Sequence, residues 1–496
     1  MKTNGIRGGA YWHRLALLFA AVAFLLVFSS TTSPLTPGCY GGDSAIFQLI
    51  GRLWANGRVP YADSFDHKGP LIFFIDALGE LLAPNRTGIF LLQILFETAA
   101  AWGIYEIYRL RFSDARALLF SLLTLFCLVR WYGDGGNMTE EYCLPFLAWS
   151  FLGYYRWALS DETPHPPRLA ALYGLSAAVC VLTRATNAIA LSVLVFCAVV
   201  RLIRAREWSN LGGNALLFLA GFAAAVLPFV AYYASRGLLE KLYFGAIGFN
   251  LTYMQGKAEL AALSLAAKLK LLVGHAPLIM ALLGGAGLIL RKRHVFCGVS
   301  AAAAAAASLA FPYLENAYYA HYQIVNLPLA AVGLVLLAEG LPGRGARSPL
   351  DKALLAAAGA VLAALLAVSV RAACRFETLP GSAGYQREVS FAERGAEILE
   401  LIPKEERDAA VGYNVSASVF LKANILPCYT YVVMQDWHAS YNTRLREGIR
   451  ADFSSCRARW ILAVDVKDAV VRETLDTRYT PYYESESGGY VLYRLT

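Results

Sequence analysis

Apolar stretches long enough to cross a lipid bilayer recur along this sequence, and they constrain its fold more than any other feature. A bilayer core about 30 Å thick takes roughly 20 apolar residues in one α-helix. Residues 15–28, extended by weakly polar flanks, and 354–370 are runs of this kind, and the whole chain reads as about eleven spans. In lipid each span must satisfy its own backbone groups, so the expected fold class is an α-helical polytopic membrane protein with the bilayer as a partner. Composition agrees: 57% hydrophobic residues, 16% charged residues and a mean hydropathy of +0.46 are far from a soluble domain. The first run follows Lys2, Arg7 and Arg14, as a secretory signal would. Its exit at Ser33-Pro34 lacks a small-residue cleavage pattern, so it reads as a retained span.

With the N-terminus inside, the spans fall near 15–31, 86–108, 115–131, 141–158, 169–184, 188–203, 213–234, 271–290, 295–312, 321–338 and 353–370. The loops then inside carry Arg109, Arg111 and Arg116; Arg156 and Arg168; Arg201, Arg204 and Arg206; Arg291, Lys292 and Arg293; and Arg344, Arg347 and Lys352. The short outer loops 132–139 and 313–320 carry no Lys or Arg, which is the positive-inside asymmetry. It also absorbs the net charge of +8, which is dispersed over loops and leaves no nucleic-acid footprint. An odd number of spans puts residues 372–496 outside, together with the loop 32–84. The expected domains are therefore a membrane domain over 1–371 and an extracytoplasmic α/β domain over 372–496, in which short β-type stretches (409–413, 460–464, 490–493) alternate with helix-like ones (392–401, 416–421). Counting 70–82 as a further span would invert the tail, against the charge bias. The nine cysteines show no metal-type spacing, and of those in the tail, Cys374, Cys428 and Cys456, one pair is open to oxidation.

The loop 32–84 is patterned rather than a mere connector. Ile46, Phe47, Leu49, Ile50, Leu53 and Trp54 form one helical stripe while Ser44, Gln48 and Arg52 face away, which predicts an amphipathic helix lying on the membrane surface. A second helix is predicted from Pro70 to Leu82, with Pro at its first turn. Polar clusters precede both: Gly41-Gly42-Asp43 and Asp63-Ser64-Phe65-Asp66-His67-Lys68-Gly69.

Asp43 after the first span, the surface helix, Gly57-Arg58-Val59-Pro60-Tyr61 and Phe65-Asp66-His67-Lys68-Gly69-Pro70-Leu71 together resemble the first outer loop of the GT-C superfamily. The pattern is most similar to protein mannosyltransferases and lipid A aminoarabinose transferases, which carry a Lys-Pro-Pro-Leu-like stretch in the place of Lys68–Leu71. The resemblance implies a membrane cavity open to the outer leaflet and a glycosyltransferase whose donor sugar is linked through one phosphate to a polyprenol. It further implies inversion at the anomeric carbon, with the loop aspartate as general base and an extracytoplasmic hydroxyl as acceptor.

Each candidate residue also has a plainer reading. Asp43 before a helix is a good N-cap, a role worth about 1 kcal/mol, and it is also the candidate catalytic base. His67 and Lys68 are interfacial residues that can snorkel, or a binding pair in which Lys68 stabilises a departing phosphate, with Asp66 orienting them. Asp63 reads as a turn residue. Glu140 and Glu141 suit the positive end of a helix dipole or a substrate, with Glu141 the first choice of the two. Arg184 at a span edge is an anchor or a second phosphate contact. His321-Tyr322 resembles a His-Tyr pair before a late span of related transferases, near the lipid phosphate. No cofactor is indicated, although the Ser44 that follows Asp43, where many members carry a second acid, leaves a divalent cation open. The sequence contains no HExxH, P-loop, dinucleotide turn or GxSxG. A non-enzymatic flippase of lipid-linked sugars would need broken helices or inverted repeats, which are not evident. A polymerase using a diphosphate-linked donor would carry larger late outer loops.

Overall fold

The computed structural model describes residues 5–160, 162–255, 264, 271, 274–315, 318–342, 347–377, 379–467, 469–485 and 489–496. Arg344 and residues 272–273 of the predicted 271–290 span lie outside them. The apolar stretches are helical: α1 (Gly5–Phe28), α4 (Thr87–Arg109), α5 (Asp114–Cys127), α6 (Thr139–Leu159), α7 (Pro167–Thr183), α8 (Ile189–Arg204) and α9 (Trp208–Ala234), then Ala276–Leu290, Val295–Glu315, Leu327–Gly340 and Pro349–Cys374. Among the described residues, seven helical stretches are long and apolar enough to cross a membrane by length and composition. Proline opens several of them, where its missing N–H has no partner to lose. Ser348 and Asp351 close a reciprocal capping box before the last helix. Small residues let helices touch: a Cβ on Gly174 of α7 would lie 1.9 Å from the Phe218 carbonyl of α9.

The helix α4 runs the length of this bundle. At its start Arg86 donates to the carbonyls of Thr31, Thr36 and Cys39. Near its far end Arg111 reaches Glu339 at 3.2 Å, and Glu339 also receives Arg293 at 3.2 Å. Arg291 pairs with Asp351 nearby in sequence to the same helix ends. The basic junctions thus gather at the opposite end from the loop between α1 and α4.

That loop holds α2 (Asp43–Ala55) and α3 (Pro70–Leu82). The expected amphipathic helix is present, but it does not lie as an open surface helix with its polar face to water: Ser44 through Leu53 are all buried. Gln48 donates to Thr31 O and Ser44 Oγ, and Arg52 spans Glu80 at 3.2 Å and Asn424 Oδ1 at 3.3 Å. The C-terminal part of the chain covers that face, because a half-apolar helix gains more from a second packing surface than from one.

After Pro349–Cys374 comes a four-stranded sheet in the order β1-β2-β4-β3, with β1 (Ala410–Tyr413) parallel to β2 (Trp460–Ala463) and β3 (Tyr479–Glu484) and β4 (Val491–Leu495) antiparallel. Three of these strands match the β-type stretches of the sequence. The edge strand β3 does not, since five of its six residues are exposed and Pro481 interrupts the pattern. Helices Ala383–Glu400 and Ala417–Ala423 pack on one face of this sheet, in one cluster with Ile46, Leu49, Ile50 and Phe73 of α2 and α3. All nine cysteines are free thiols, Cys374, Cys428 and Cys456 included.

Candidate active site

The helix α2 begins on Asp43 itself, with Gly42 in the N-cap place and no side chain capping it. The expected capping role of Asp43 is therefore not met. As a first-turn acid it still suits the helix dipole, but its carboxylate is turned to Lys68, with Oδ2 3.5 Å from Nζ. The Asp43 side chain is 42% exposed and that of Lys68 19%.

The segment that presents Lys68 is fastened on several sides. Asp63 closes its turn by accepting the Val59 N–H at 2.7 Å. Phe65 N–H donates to Thr430 O at 2.8 Å, and its ring packs among Phe249, Tyr431 and His438. Tyr61 OH donates to the Lys68 carbonyl at 2.6 Å, and Gly69 N–H donates to Thr183 O at 2.9 Å. A Cβ on Gly69 would fall 2.2 Å from the Leu182 carbonyl oxygen, so this place takes glycine although the resembling families have proline there.

The charges in this segment support one another. Asp66 is buried, which alone would raise its pKa, yet His67 and Lys68 beside it hold the carboxyl well below the usual range. Its oxygens meet His67 Nδ1 at 3.3 Å and the Lys68 N–H at 3.2 Å. Burial would likewise depress Lys68, but Asp43 and Asp66 outweigh it and hold the ammonium above the ordinary lysine value. Burial and the Lys68 cation push His67 down. His438, from the helix Gln435–Tyr441, is pushed down to about 4 by burial and by His67. Ligand atoms of Asp66, His67 and His438 all lie within 4.8 Å of one another, an N, N, O donor set that suits a divalent ion such as zinc.

A cleft with ≈ 820 Å³ of empty volume, part of it open to solvent, lies over this segment. Asp43, Asp66, His67, Lys68, Glu140, Arg184, His321 and Tyr322 all line it. Eight of the candidate residues, drawn from five separate stretches of chain, thus share one cavity. Glu140, at the start of α6, faces Arg184 at 3.4 Å, and the Arg184 guanidinium lies 3.1 Å over the Tyr322 ring. His321 Nδ1 meets Asp134 Oδ2 at 2.7 Å. Glu141 is the exception. It does not line the cleft and instead accepts from Gln93 Nε2, Tyr132 OH and the Met138 N–H inside the bundle. The order of preference between the two acids is thus reversed, because one residue along a helix turns a side chain by about 100°.

Residues that sequence reasoning did not single out also line the cleft: Phe47, Met138, Thr139 and Tyr319, and from the C-terminal part Met434, Trp437 and Tyr441. The Trp437 ring lies 5.5 Å from that of His67. No local signal marks residue 437, since its place depends on folding back over a loop some 370 residues earlier.

No family model and no curated protein matches the sequence. Solved structures do match it. The transferase ArnT from Cupriavidus metallidurans bound to undecaprenyl phosphate aligns over 97% of this chain and 97% of its own, with a TM-score of 0.58 and 13% identity. The oligosaccharyltransferase AglB from Archaeoglobus fulgidus, in complex with an inhibitory peptide and a dolichol-phosphate, aligns over 98% of this chain and 74% of its own, with a TM-score of 0.50 and 12% identity. This chain shares its fold with these two structures. The match to ArnT covers 97% of this chain, so the shared fold includes both the helical bundle and the C-terminal sheet.

Proposed function

We propose that this protein is a membrane glycosyltransferase that moves a sugar from a polyprenyl-phosphate donor to a hydroxyl acceptor. The observation that carries this reading is the facing of Asp43 and Lys68, 3.5 Å apart, in a cleft that also receives Arg184 and His321. The ArnT structure with this fold is bound to undecaprenyl phosphate, and the AglB structure to a dolichol-phosphate, which supports a lipid phosphate as the leaving group.

In this reaction Asp43 takes the proton of the acceptor hydroxyl as its oxygen bonds to the anomeric carbon. The bond from that carbon to the phosphate oxygen breaks, and its electron pair leaves with the polyprenyl phosphate. Attack opposite the leaving group inverts the anomeric centre. Lys68 and Arg184 stand fixed where the negative charge grows, which stabilises the transition state without reorganisation. Glu140 holds Arg184 in place, and Asp66 with His67 holds Lys68. Asp66, His67 and His438 would hold a divalent cation, which would supply neutralisation of phosphate charge.

The positive-inside loops support a cleft on the extracytoplasmic side of the cell membrane, with residues 372–496 outside. Membranes carrying Asp43→Asn at normal abundance are expected to lose about 10²–10⁴-fold in transfer from a labelled polyprenyl-phosphate sugar. Full activity in that variant removes the catalytic assignment.

A further inference from the structure

We propose that Asp134 is a positioning residue that commits one ring nitrogen of His321 to the phosphate of the donor. The pair is close, with His321 Nδ1 2.7 Å from Asp134 Oδ2 across 187 residues of sequence. An ionised carboxylate only accepts hydrogen bonds, so Nδ1 carries the proton and Nε2 is the nitrogen left for the cleft that His321 lines. No other hydrogen bond holds His321 among the described residues. The ring is 12% exposed, stacked on Tyr319 at 5.9 Å and edge-on to Tyr322 at 4.9 Å. These aromatic contacts fix its plane but not which nitrogen faces the ligand; Asp134 decides that.

The turn that carries Asp134 is shaped for this. Gly135 and Gly136 both take φ of +84°, a left-handed backbone that other residues avoid. The end of α1 grips the turn: Thr31 N–H donates to Gly135 O at 3.0 Å, and Thr31 Oγ1 reaches the Gly135 and Gly136 carbonyls at 3.0 Å. The backbone is therefore rigid while the Asp134 carboxylate, 53% exposed, projects toward His321. A half-exposed carboxylate pair adds little to stability, so the rigid turn is better accounted for by what it does to the imidazole. Protonated, the imidazole donates from Nε2 to a phosphate oxygen, as a third donor beside Lys68 and Arg184.

This role rests on the lipid-phosphate reading above. Full-length protein in nanodiscs can be titrated with undecaprenyl phosphate and followed by native mass spectrometry. Asp134→Ala is expected to weaken binding about tenfold. Asp134→Glu is expected to restore it to within about threefold, and Asp134→Ala added to His321→Phe to change it by less than about twofold. His321→Phe keeps the aromatic stack, and melting temperatures of all variants report folding separately. Equal losses in the His321 and Phe backgrounds, or no rescue by Glu, overturn the role of Asp134 and leave the transferase reading standing. Failure of the unmodified protein to bind undecaprenyl phosphate overturns both.

Discussion

Replacing Gly69 with alanine adds one methyl group to the residue that follows Lys68, and the geometry makes it a sharp probe of the site. The new Cβ would meet Leu182 O at 2.2 Å, Leu182 C at 2.4 Å and Thr183 N at 2.9 Å. All three are backbone atoms, so no rotamer change relieves the clash. Reaching ordinary contact at 3.4 Å requires a displacement of about 1.2 Å between the two segments. Gly69 follows Lys68, and Leu182-Thr183 precede Arg184, so this displacement separates the two cations assigned to the phosphate. It also loosens the Gly69 N–H bond to Thr183 O. Overpacking of this kind costs about 1–3 kcal/mol of stability, whereas a misplacement of about 1 Å in a catalytic constellation costs about 10²-fold in rate. The expected outcome is a folded protein, with a melting temperature lowered by a few degrees, that transfers label from a polyprenyl-phosphate sugar about 10²-fold more slowly. The assay is single-turnover transfer in nanodiscs, with fluorescence melting on the same samples. Transfer within about threefold of the unmodified rate, at an unchanged melting temperature, would refute the reasoning, since the loop would then tolerate separation of Lys68 from Arg184.

Lys68→Met keeps the aliphatic stem but deletes the charge, and is expected to lower kcat by about 10²–10³-fold; an effect confined to KM would show that Lys68 only binds. Glu140→Gln and Glu141→Gln should part company despite being neighbours. The first weakens undecaprenyl phosphate binding by freeing Arg184 to wander, and the second costs about 1–3 kcal/mol of stability by disturbing a buried acceptor of several donors. Reversed results in binding and melting assays contradict the orientation of the two acids. Removal of divalent ions by chelation should lower the melting temperature of the unmodified protein and leave His438→Phe unaffected, if Asp66, His67 and His438 hold a cation; equal responses of the two proteins count against it.

Much of the bundle was legible because a spanning helix announces itself through local apolar length, a signal that needs no knowledge of neighbours. The polar clusters before α2 and α3 were legible for a similar reason: charge is expensive near lipid and stands out. What could not be read was one residue of phase and everything that depends on distant packing. Asp43 reads as a cap from its neighbours, yet the helix begins one residue earlier and directs it to Lys68. Glu141 outranks Glu140 in sequence but faces Gln93 and Tyr132 instead. The polar stripe of α2 looks like a water-facing surface, because its partners lie in other segments: Thr31 and Asn137 at Gln48 and Ser44, and Leu421 and Asn424 at Arg52.

The helix Gln435–Tyr441 forms one wall of the cleft whose opposite groups come from residues 43–68. Two portions of the chain made some 370 residues apart are thus both required before the cavity has its final outline. A nascent chain whose bundle is already in the membrane still lacks Met434, Trp437 and Tyr441, so the pocket stays incomplete until this later segment has been made and has packed over the loop. A copy cut short before residue 434 would lack one wall of the cleft, however complete its bundle.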